Sequence, residues 1–250
     1  MPELILETEK MLLYQQQLGE WNNLNHLIIC KSSNQACIID PFDGKFWLDF
    51  CQLMEVEITE IWLTHTHWDH IKGVDALYHN SDIQPILRCH ILEQQRGYES
   101  TRADWWTHDE LSSVATMFGD IEFTVHCTPG HSPGHVTIIG DGAIITGDCL
   151  FLHSCGRTDL FGGDQEKQRQ SVLYLKEVFD NVTLDSLILP GHQYEQDDGS
   201  IPTTIGLETF LQENLAINSA HDILLWNNLP FLSFDDNMAE QARRQRAMQS

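Results

Sequence analysis

The chain has 250 residues, of which 42% are hydrophobic, and its 37 Asp and Glu residues outnumber its 14 Lys and Arg residues to give a net charge of −23. This length and apolar content predict one folded domain with room for an appendage, and they exclude wholesale disorder. The charge argues against a nucleic-acid partner, because binding a phosphate backbone requires a Lys- and Arg-rich surface. A small anionic substrate is compatible with the negative net charge, because a bound metal cation makes the electrostatic potential positive around itself.

The sequence carries no signal for a membrane span or a signal peptide. Its longest apolar runs, such as residues 27–30 and Leu187–Pro190, are only as long as strands. Glu3, Glu7 and Glu9 stand where a signal peptide would need positive charge and then an apolar stretch. The seven cysteines form no CxxC pair and are odd in number, which favours reduced thiols over disulfides. We therefore expect a cytoplasmic protein that does not bind membranes.

Short β-rich segments alternate with helical ones along the chain. In chain order, strands are predicted at residues 24–30, 36–40, 58–64, 85–89 and 121–127, a hairpin at residues 136–146, and a last strand at residues 186–189. Helices are predicted at residues 45–56 and 165–180, where apolar side chains recur at three- and four-residue steps, and at residues 73–79, after the strand at residues 58–64. The fold class is therefore mixed α/β, with strands that end in polar, histidine-bearing loops.

Two regions have a less regular pattern. Residues 93–113 are rich in Gln, Trp and charge and predict an insertion, whose Trp105 and Trp106 could line a substrate channel or bury against a partner chain. Residues 201–250 contain two helix-like segments and a basic end. We expect residues 1–200 to form the main domain and residues 201–250 a C-terminal helical extension packed on it.

The segment from Thr64 to His70 reads Thr-His-Thr-His-Trp-Asp-His and directly follows a predicted apolar strand. Residues two apart in an extended chain point the same way, so His65 and His67 can hold one cation together. Asp69 and His70 come where the chain turns and could face a second cation. Four side chains able to bind metal within six residues rarely arise from packing, because an unpaired imidazole or carboxylate is costly to bury.

Three more potential ligands follow predicted strands further along the chain. They are His131 in Pro-Gly-His, Asp148 in Thr-Gly-Asp and His192 in Pro-Gly-His. In each, a small residue lets the backbone turn and leaves one donor side chain at the rim of the sheet. A carboxylate can give one oxygen to each of two metals, so Asp148 is suited to bridging. Seven ligands would suffice for two cations and a shared water.

This order of motifs resembles the metallo-β-lactamase-fold hydrolases, and within them the glyoxalase II-like (hydroxyacylglutathione hydrolase) branch. The resemblance runs from about residue 24 to about residue 206 and implies a four-layer αβ/βα sandwich. It implies that residues 1–200 are the catalytic domain, and that Asp69 and Asp148 are its catalytic carboxylates. It places the first metal on His65, His67 and His131, the second on Asp69, His70 and His192, and Asp148 between them. His135 matches a family histidine that supports the site without binding metal.

The string Cys155-Gly-Arg-Thr-Asp159 allows two interpretations. Glyoxalase II has Cys-Gly, a basic residue and then an aromatic residue that helps to hold glutathione, whereas here Asp159 replaces the aromatic. Arg157 is therefore a candidate for substrate binding, or it forms a salt bridge with Asp159 that shapes the loop. The same string resembles persulfide dioxygenases of this superfamily, which would use one iron on His65, His131 and Asp148.

The resemblance implies an enzyme with two divalent metal ions that hydrolyses an anionic thioester. Zinc is the expected metal, and iron or manganese would also suit a set of His and Asp ligands. The expected substrate is a small molecule related to hydroxyacylglutathione, attacked by a metal-bridging hydroxide. The persulfide dioxygenase is the alternative function. A protein that binds metal without catalysis is disfavoured by the complete set of seven ligands.

Overall fold

The computed structural model describes residues 1–80, 83–196 and 198–249, and it contains two β-sheets. The first sheet has the strand order β1-β2-β3-β4-β5-β6-β7, antiparallel from β1 to β4 and parallel from β4 to β7. Its strands are β1 (Glu3–Glu7), β2 (Met11–Leu18), β3 (Asn23–Cys30), β4 (Gln35–Ile39), β5 (Glu57–Trp62), β6 (Ile86–His90) and β7 (Ala103–Trp106).

The second sheet has the strand order β13-β12-β11-β10-β9-β8 and is antiparallel except between β11 and β12. Its strands are β8 (Ser113–Phe118), β9 (Ile121–Cys127), β10 (Val136–Gly140), β11 (Ala143–Gly147), β12 (Leu187–Pro190) and β13 (Ile205–Gly206). The helices are α1 (Gly44–Met54), α2 (Trp68–Ile71), α3 (Val74–Asn80), α4 (Gln165–Phe179), α5 (Leu207–Glu213), α6 (Leu215–Ser219), α7 (Ile223–Asn227) and α8 (Asn237–Gln249).

Alternating side chains bury both faces of each sheet. In β3, Ile28 joins the core between the two sheets, whereas its neighbours Leu27 and Ile29 join the core under α1 and α3. In β11, Ile145 faces the first sheet and Ile144 faces α4 and α5. Because side chains alternate across a strand, a continuous apolar run supplies two cores at once. The layers are therefore helix, sheet, sheet and helix, which confirms the predicted four-layer sandwich.

Helix α1 begins and ends at residues with clear local signals. The Asp43 side chain accepts a hydrogen bond from the Phe46 N–H at its start, and Glu55 adopts the left-handed conformation (φ 55°) at its end. The Asp164 carboxylate caps α4 by accepting from the N–H groups of Glu166 and Lys167. Both helices were predicted to within two residues at each end.

The region 93–113, in which the sequence predicts an insertion, contributes a strand to the first sheet. It contains most of a 3₁₀-helix (Ile91–Arg96) and the whole of β7, which pairs with β6. Trp106 is buried between the sheets, with its ring 5.9 Å from that of Trp62. Trp105 packs beside Tyr98. Neither tryptophan lines the cleft described below, because the two are part of the packed interior of this sheet.

Residues 201–249 contain four α-helices, α5 to α8, rather than the two helical segments that were predicted. Leu207, Phe210 and Trp226 are buried in the same core as Ile188 and Phe179. Strands β1, β2, β7, β8 and β13 were also not predicted. Among the helices of the described residues, none is both long and apolar enough to cross a bilayer. The boundary at residue 200 stays a prediction.

Candidate metal centre

The seven predicted ligands come together at one end of the two sheets. The loop after β5 supplies His65 and His67, and the short helix α2 supplies Asp69 and His70. The loops after β9, β11 and β12 supply His131, Asp148 and His192. Six of the seven side chains are buried, and His67 is half-buried. Strand ends at one edge of a sheet meet in space, which is why residues far apart in the sequence converge here.

One group consists of His65, His67 and His131, each offering a nitrogen within 4.8 Å of the others. Nδ1 of His67 lies 2.8 Å from Nε2 of His131, and the rings of His65 and His131 are 4.9 Å apart. Three imidazoles this close form the type of ligand set that binds zinc and other first-row divalent ions.

A second group consists of Asp69, His70 and His192, again with ligand atoms within 4.8 Å of one another. Nε2 of His70 lies 3.2 Å from Nε2 of His192, and Oδ2 of Asp69 lies 3.4 Å from Nε2 of His192. Asn23 donates a hydrogen bond of 2.8 Å from Nδ2 to that same Asp69 oxygen and holds the carboxylate in place.

Asp148 lies between the two groups. Its Oδ2 is 3.4 Å from Nε2 of His131 in the first group and 3.3 Å from Nε2 of His192 in the second. Its Oδ1 is 3.4 Å from Nε2 of His70. One carboxylate therefore reaches both groups, as a bridging ligand must.

Hydrogen bonds on the outer side of the rings orient four of the histidines. Nδ1 of His131 donates to the carbonyl of Arg157 (2.7 Å), and Nδ1 of His192 donates to the carbonyl of Trp21 (2.8 Å). A carbonyl only accepts, so these nitrogens carry the proton and each Nε2 presents a lone pair to the centre. Nδ1 of His70 lies 3.0 Å from Oδ2 of Asp40, and Nδ1 of His65 lies 3.0 Å from the hydroxyl of Thr64.

Polar atoms without partners indicate that the centre accommodates cations. Within the described part of the chain, Nε2 of His65, Nε2 of His67 and Oδ1 of Asp148 are buried and have no hydrogen-bond partner. Burying such atoms unpaired costs free energy, so groups of this kind are usually paired or bind metal. The donor set of imidazole and carboxylate fits zinc, iron or manganese.

Burial keeps the imidazoles of the first group neutral. It lowers the pKa of His65 and His67 well below the usual value, and neighbouring histidines lower both further. Burial also lowers the pKa of His131, against the attraction of Asp148. A neutral imidazole is the form that binds a metal, so this group needs little or no deprotonation.

Carboxylates dominate the electrostatics of the second group. Burial would lower the pKa of His192, but Asp148 and Asp69 raise it to about 9. Burial would raise the pKa of Asp69, but His70 and His192 lower it to about 2. A divalent cation would displace the imidazole protons here, because ligands bind metal in their deprotonated forms.

Comparison with known families identifies the superfamily of the chain. A family model described as the metallo-beta-lactamase superfamily matches residues 27–192, about two thirds of the chain. The chain belongs to the metallo-β-lactamase superfamily.

Individual proteins of similar sequence or fold extend the comparison. The hydroxyacylglutathione hydrolase of Tolumonas auensis is 30% identical over 171 residues, covering 68% of this chain and 62% of that protein. The chain thus matches less than two thirds of this relative's length. The crystal structure of ETHE1 from Myxococcus xanthus has a TM-score of 0.72 at 22% identity and covers 95% of this chain and 99% of its own. The crystal structure of TTHA1623 in a di-iron-bound form has a TM-score of 0.60 at 25% identity, and the match covers 80% of this chain and 98% of that one.

Two buried carboxylates that were not predicted from the sequence support the loops that carry the predicted ligands. Asp40 accepts hydrogen bonds from the N–H and hydroxyl groups of Thr64 and lies beside His70. Glu93 has no exposed surface and accepts from the N–H and hydroxyl of Thr66, the hydroxyl of Ser132 and the N–H of Gly134. Asp40 ends a strand as the ligands do, and that signal could have identified it.

His135 is turned away from the two ligand groups. Its Nε2 accepts hydrogen bonds of 3.1 Å from the N–H groups of Asp148 and Cys149, and its Nδ1 lies 3.1 Å from the Thr128 hydroxyl. Nε2 therefore holds the loop that carries Asp148, and Nδ1 is engaged by Thr128 at the end of β9. This arrangement agrees with the supporting role that the resemblance implied.

A cleft of about 1080 Å³ opens over the metal centre. Its walls are mainly apolar and aromatic, and helix α8 forms one of them. Residues that line the cleft include Trp21, Trp68, Phe151, Leu160, Phe161, Phe234 and Met238, together with Arg96 and Arg157. An apolar cleft with a few charged groups beside a metal centre is typical of a small-molecule site.

Arg157 forms the salt bridge that was one of its two predicted alternatives. Its guanidinium donates two hydrogen bonds to Asp159, at 2.6 and 2.9 Å, and two to Asp236, at 2.7 and 3.0 Å. Because a guanidinium has five N–H groups, four of them are committed to the protein. The side chain joins the loop after β11 to the residue before α8. Only one of its N–H groups is left to bind an anionic group of a substrate.

The cysteines near the centre are poor nucleophiles. All seven cysteines lie in the described residues, where they are buried and unpaired. Burial raises the pKa of the Cys149 thiol to about 12 and that of Cys155 well above its usual value. Since the thiolate is the reactive form, neither residue is suited to attack a substrate.

Proposed function

We propose that this chain is a metal-dependent hydrolase that cleaves thioesters with two divalent cations. One cation would be held by His65, His67 and His131, and the other by Asp69, His70 and His192. The observation that carries the proposal is the position of Asp148, whose oxygens lie 3.3 to 3.4 Å from nitrogens of both groups. Such a carboxylate suits a centre in which two ions share a nucleophile.

The relatives support the same reaction class. Curated proteins at about 30% identity are named hydroxyacylglutathione hydrolase, so a thioester of that kind is the substrate class that we propose. We propose zinc as the metal. The di-iron form of TTHA1623 supports two metal positions and makes iron the first alternative. Buried, unpaired cysteines support a cytoplasmic location, and the charge of −23 supports a small-molecule partner rather than nucleic acid.

The residues of the chain would divide the work of hydrolysis among them. Bound cations would supply an acidified water and positive charge for the developing oxyanion. The carbonyls of Arg157 and Trp21 hold the ligand rings of His131 and His192 in the tautomer that presents Nε2. Asp69 and Asp148 supply negative charge, and their low pKa values keep them ionised at neutral pH. The leaving thiolate needs little assistance, since a thiol has a pKa of about 8.5.

The persulfide dioxygenase is the second candidate, and the string from Cys155 to Asp159 is the observation that favours it. One iron on His65, His131 and Asp148 would leave the complete group of Asp69, His70 and His192 without a function. We therefore favour the hydrolase.

Metal content and turnover test the proposal together. Elemental mass spectrometry of protein purified without added metal is expected to find about two metal ions per chain. The same protein should hydrolyse members of a panel of glutathione and coenzyme A thioesters. One iron per chain, with oxygen uptake on glutathione persulfide and no thioester hydrolysis, would overturn the hydrolase in favour of the dioxygenase.

A further inference from the structure

Arg96 is a half-buried cation at the wall of the metal-centre cleft. It ends the 3₁₀-helix Ile91–Arg96, and its side chain is 13% exposed. Its Nε donates a hydrogen bond of 2.9 Å to the carbonyl of Phe161, and its Nη1 lies 3.4 Å from the hydroxyl of Thr66. The guanidinium is thus fixed between two loops of the site.

A glycine makes room for this arginine. Gly162 has φ +88°, and a Cβ placed on it would lie 2.7 Å from Cγ of Arg96. A side chain at position 162 would therefore be strained in its backbone and would also displace the arginine. The local fold therefore fixes the position of the Arg96 side chain, which does not rotate freely as it would on an open surface.

The charge of Arg96 is incompletely balanced by the protein. Its nearest carboxylate is Glu93, 3.7 Å from Nη1, and Glu93 already accepts four other hydrogen bonds. Within residues 1–80, 83–196 and 198–249, Nη2 of Arg96 has no hydrogen-bond partner. Burial lowers the pKa of Arg96, although a guanidinium stays protonated at neutral pH. Arg157, by contrast, is matched by two carboxylates.

Arg96 also faces the reacting centre. It lines the same cleft as His67, His131 and Asp148, and its positive charge acts on both histidines. A group bound at Arg96 would lie beside the first metal group, where the carbonyl to be cleaved would be held.

We propose that Arg96 binds an anionic group of the substrate, a carboxylate in the first instance, and so selects and orients anionic thioesters. Arg96 would thus take the substrate-binding role that the sequence suggested for Arg157. The proposal rests on the proposed thioesterase function and adds a specificity determinant to it. A guanidinium with unpaired N–H groups in a partly desolvated wall is the partner that a carboxylate prefers.

The anionic group could belong to the acyl part of the thioester or to its thiol part. Four substrates separate these sources: the acetyl and succinyl thioesters of N-acetylcysteamine, which is neutral, and of N-acetylcysteine, which carries a carboxylate. Each would be assayed with the wild type, Arg96→Gln, Arg96→Lys and the control Arg102→Gln. Arg102 is half exposed, lies 3.7 Å from Asp75 and is outside the cleft, so its substitution makes the same charge change elsewhere.

Arg96→Gln is expected to lower kcat/KM for one anionic series by about 10- to 100-fold, mostly through KM, because charge-assisted hydrogen bonds are lost. The neutral acetyl-N-acetylcysteamine thioester should change by less than about twofold. Arg96→Lys should recover part of the loss, and Arg102→Gln should behave as the wild type. The series that is affected identifies which part of the substrate carries the anion.

A binding measurement separates this proposal from the proposed function. Thioether analogues of the four substrates cannot be hydrolysed, and Trp21 and Trp68 in the cleft report their binding by fluorescence. Arg96→Gln should weaken binding of the anionic analogue by about tenfold and leave metal content unchanged. An equal loss for neutral and anionic analogues, or the same loss in Arg102→Gln, would overturn the proposal. If the wild type bound the anionic analogue through Arg96 yet hydrolysed no thioester, only the thioesterase function would fall.

Discussion

Oε2 of Glu93 lies 2.9 Å from the backbone nitrogen of Thr66, the residue between His65 and His67. The other oxygen of the same carboxylate accepts from the Ser132 hydroxyl (2.6 Å) and the Gly134 N–H (2.8 Å). One buried carboxylate therefore joins the loop of two predicted ligands, His65 and His67, to the loop of a third, His131. We therefore expect the spacing of the three-histidine group to depend on Glu93.

Glu93→Gln is expected to destabilise the protein and weaken metal binding. In the amide, an NH₂ donor replaces one of the two acceptor oxygens and would face an N–H group or a hydroxyl donor in a buried site. The free energy of unfolding should therefore fall by about 1–3 kcal/mol. Differential scanning calorimetry should show a lower Tm, and mass spectrometry should show fewer than two metals per chain. Glu99→Gln, an exposed substitution on the same segment, is the control. A Glu93→Gln protein with the Tm and metal content of the wild type would contradict this role.

Asp148→Asn should remove the shared ligand between the two groups. We expect metal content to fall to one ion per chain or fewer and kcat to fall by about 10²-fold or more, because a cation that would stabilise the developing oxyanion is lost. Metal analysis and thioester kinetics measure the two effects. The exposed Asp49→Asn, at a carboxylate paired with Lys45, is the control. Unchanged turnover in Asp148→Asn would exclude the bridging role.

Substitution of Arg157 should loosen helix α8. Arg157 pairs with Asp236 directly before the helix, and it lowers the pKa of the Asp236 carboxyl to about 2. This ion pair is therefore fully formed above about pH 4, the usual Asp value, and is lost as the pH falls towards about 2. In Arg157→Gln, amide hydrogen exchange in residues 237–249 should become faster at pH 7, with little change in α1. Equal exchange in the two proteins would show that the helix is held by other contacts.

His126 is expected to make the protein less stable in weak acid. Burial, aided by the charge of His108, lowers its pKa to about 4, and the neutral ring is hydrogen-bonded to Tyr174 and Thr124. Between about pH 6.5 and 4 the unfolded chain binds a proton that the folded chain does not, so the free energy of unfolding decreases as the pH falls. The decrease from this residue amounts to at most about 3 kcal/mol over that interval.

Urea unfolding of the wild type and His126→Gln at several pH values measures this contribution. The difference between the two proteins isolates it, because the metal ligands are the same in both. The exposed His221→Gln should keep the pH dependence of the wild type. Identical slopes for the wild type and His126→Gln would contradict the prediction.

The strand ends that carry the centre could be predicted from the sequence, because each combines an apolar run, a small residue and a donor side chain. The same reasoning could not find Glu93, whose function depends on a 3₁₀-helix packing against two loops that are distant in the sequence. Nor could it separate Arg96 from Arg157, since the difference lies in how many carboxylates surround each one. Strand β2 was missed because its inward-facing Gln15 conceals the alternation of the strand. That glutamine is 4% exposed and hydrogen-bonded to His26 and to the Thr203 carbonyl.

Each ligand group is divided between the two sheets in the same proportion. The first sheet and its loops supply His65 and His67 to one group and Asp69 and His70 to the other, while the second sheet completes them with His131 and His192. The chain passes from one sheet to the other between Trp106 and Ser113. A cut in this connection would give two fragments, each with a complete sheet but with neither ligand group whole. Because a bound divalent cation would need ligands from both fragments, the apparent affinity of the two fragments for each other would depend on the concentration of free metal.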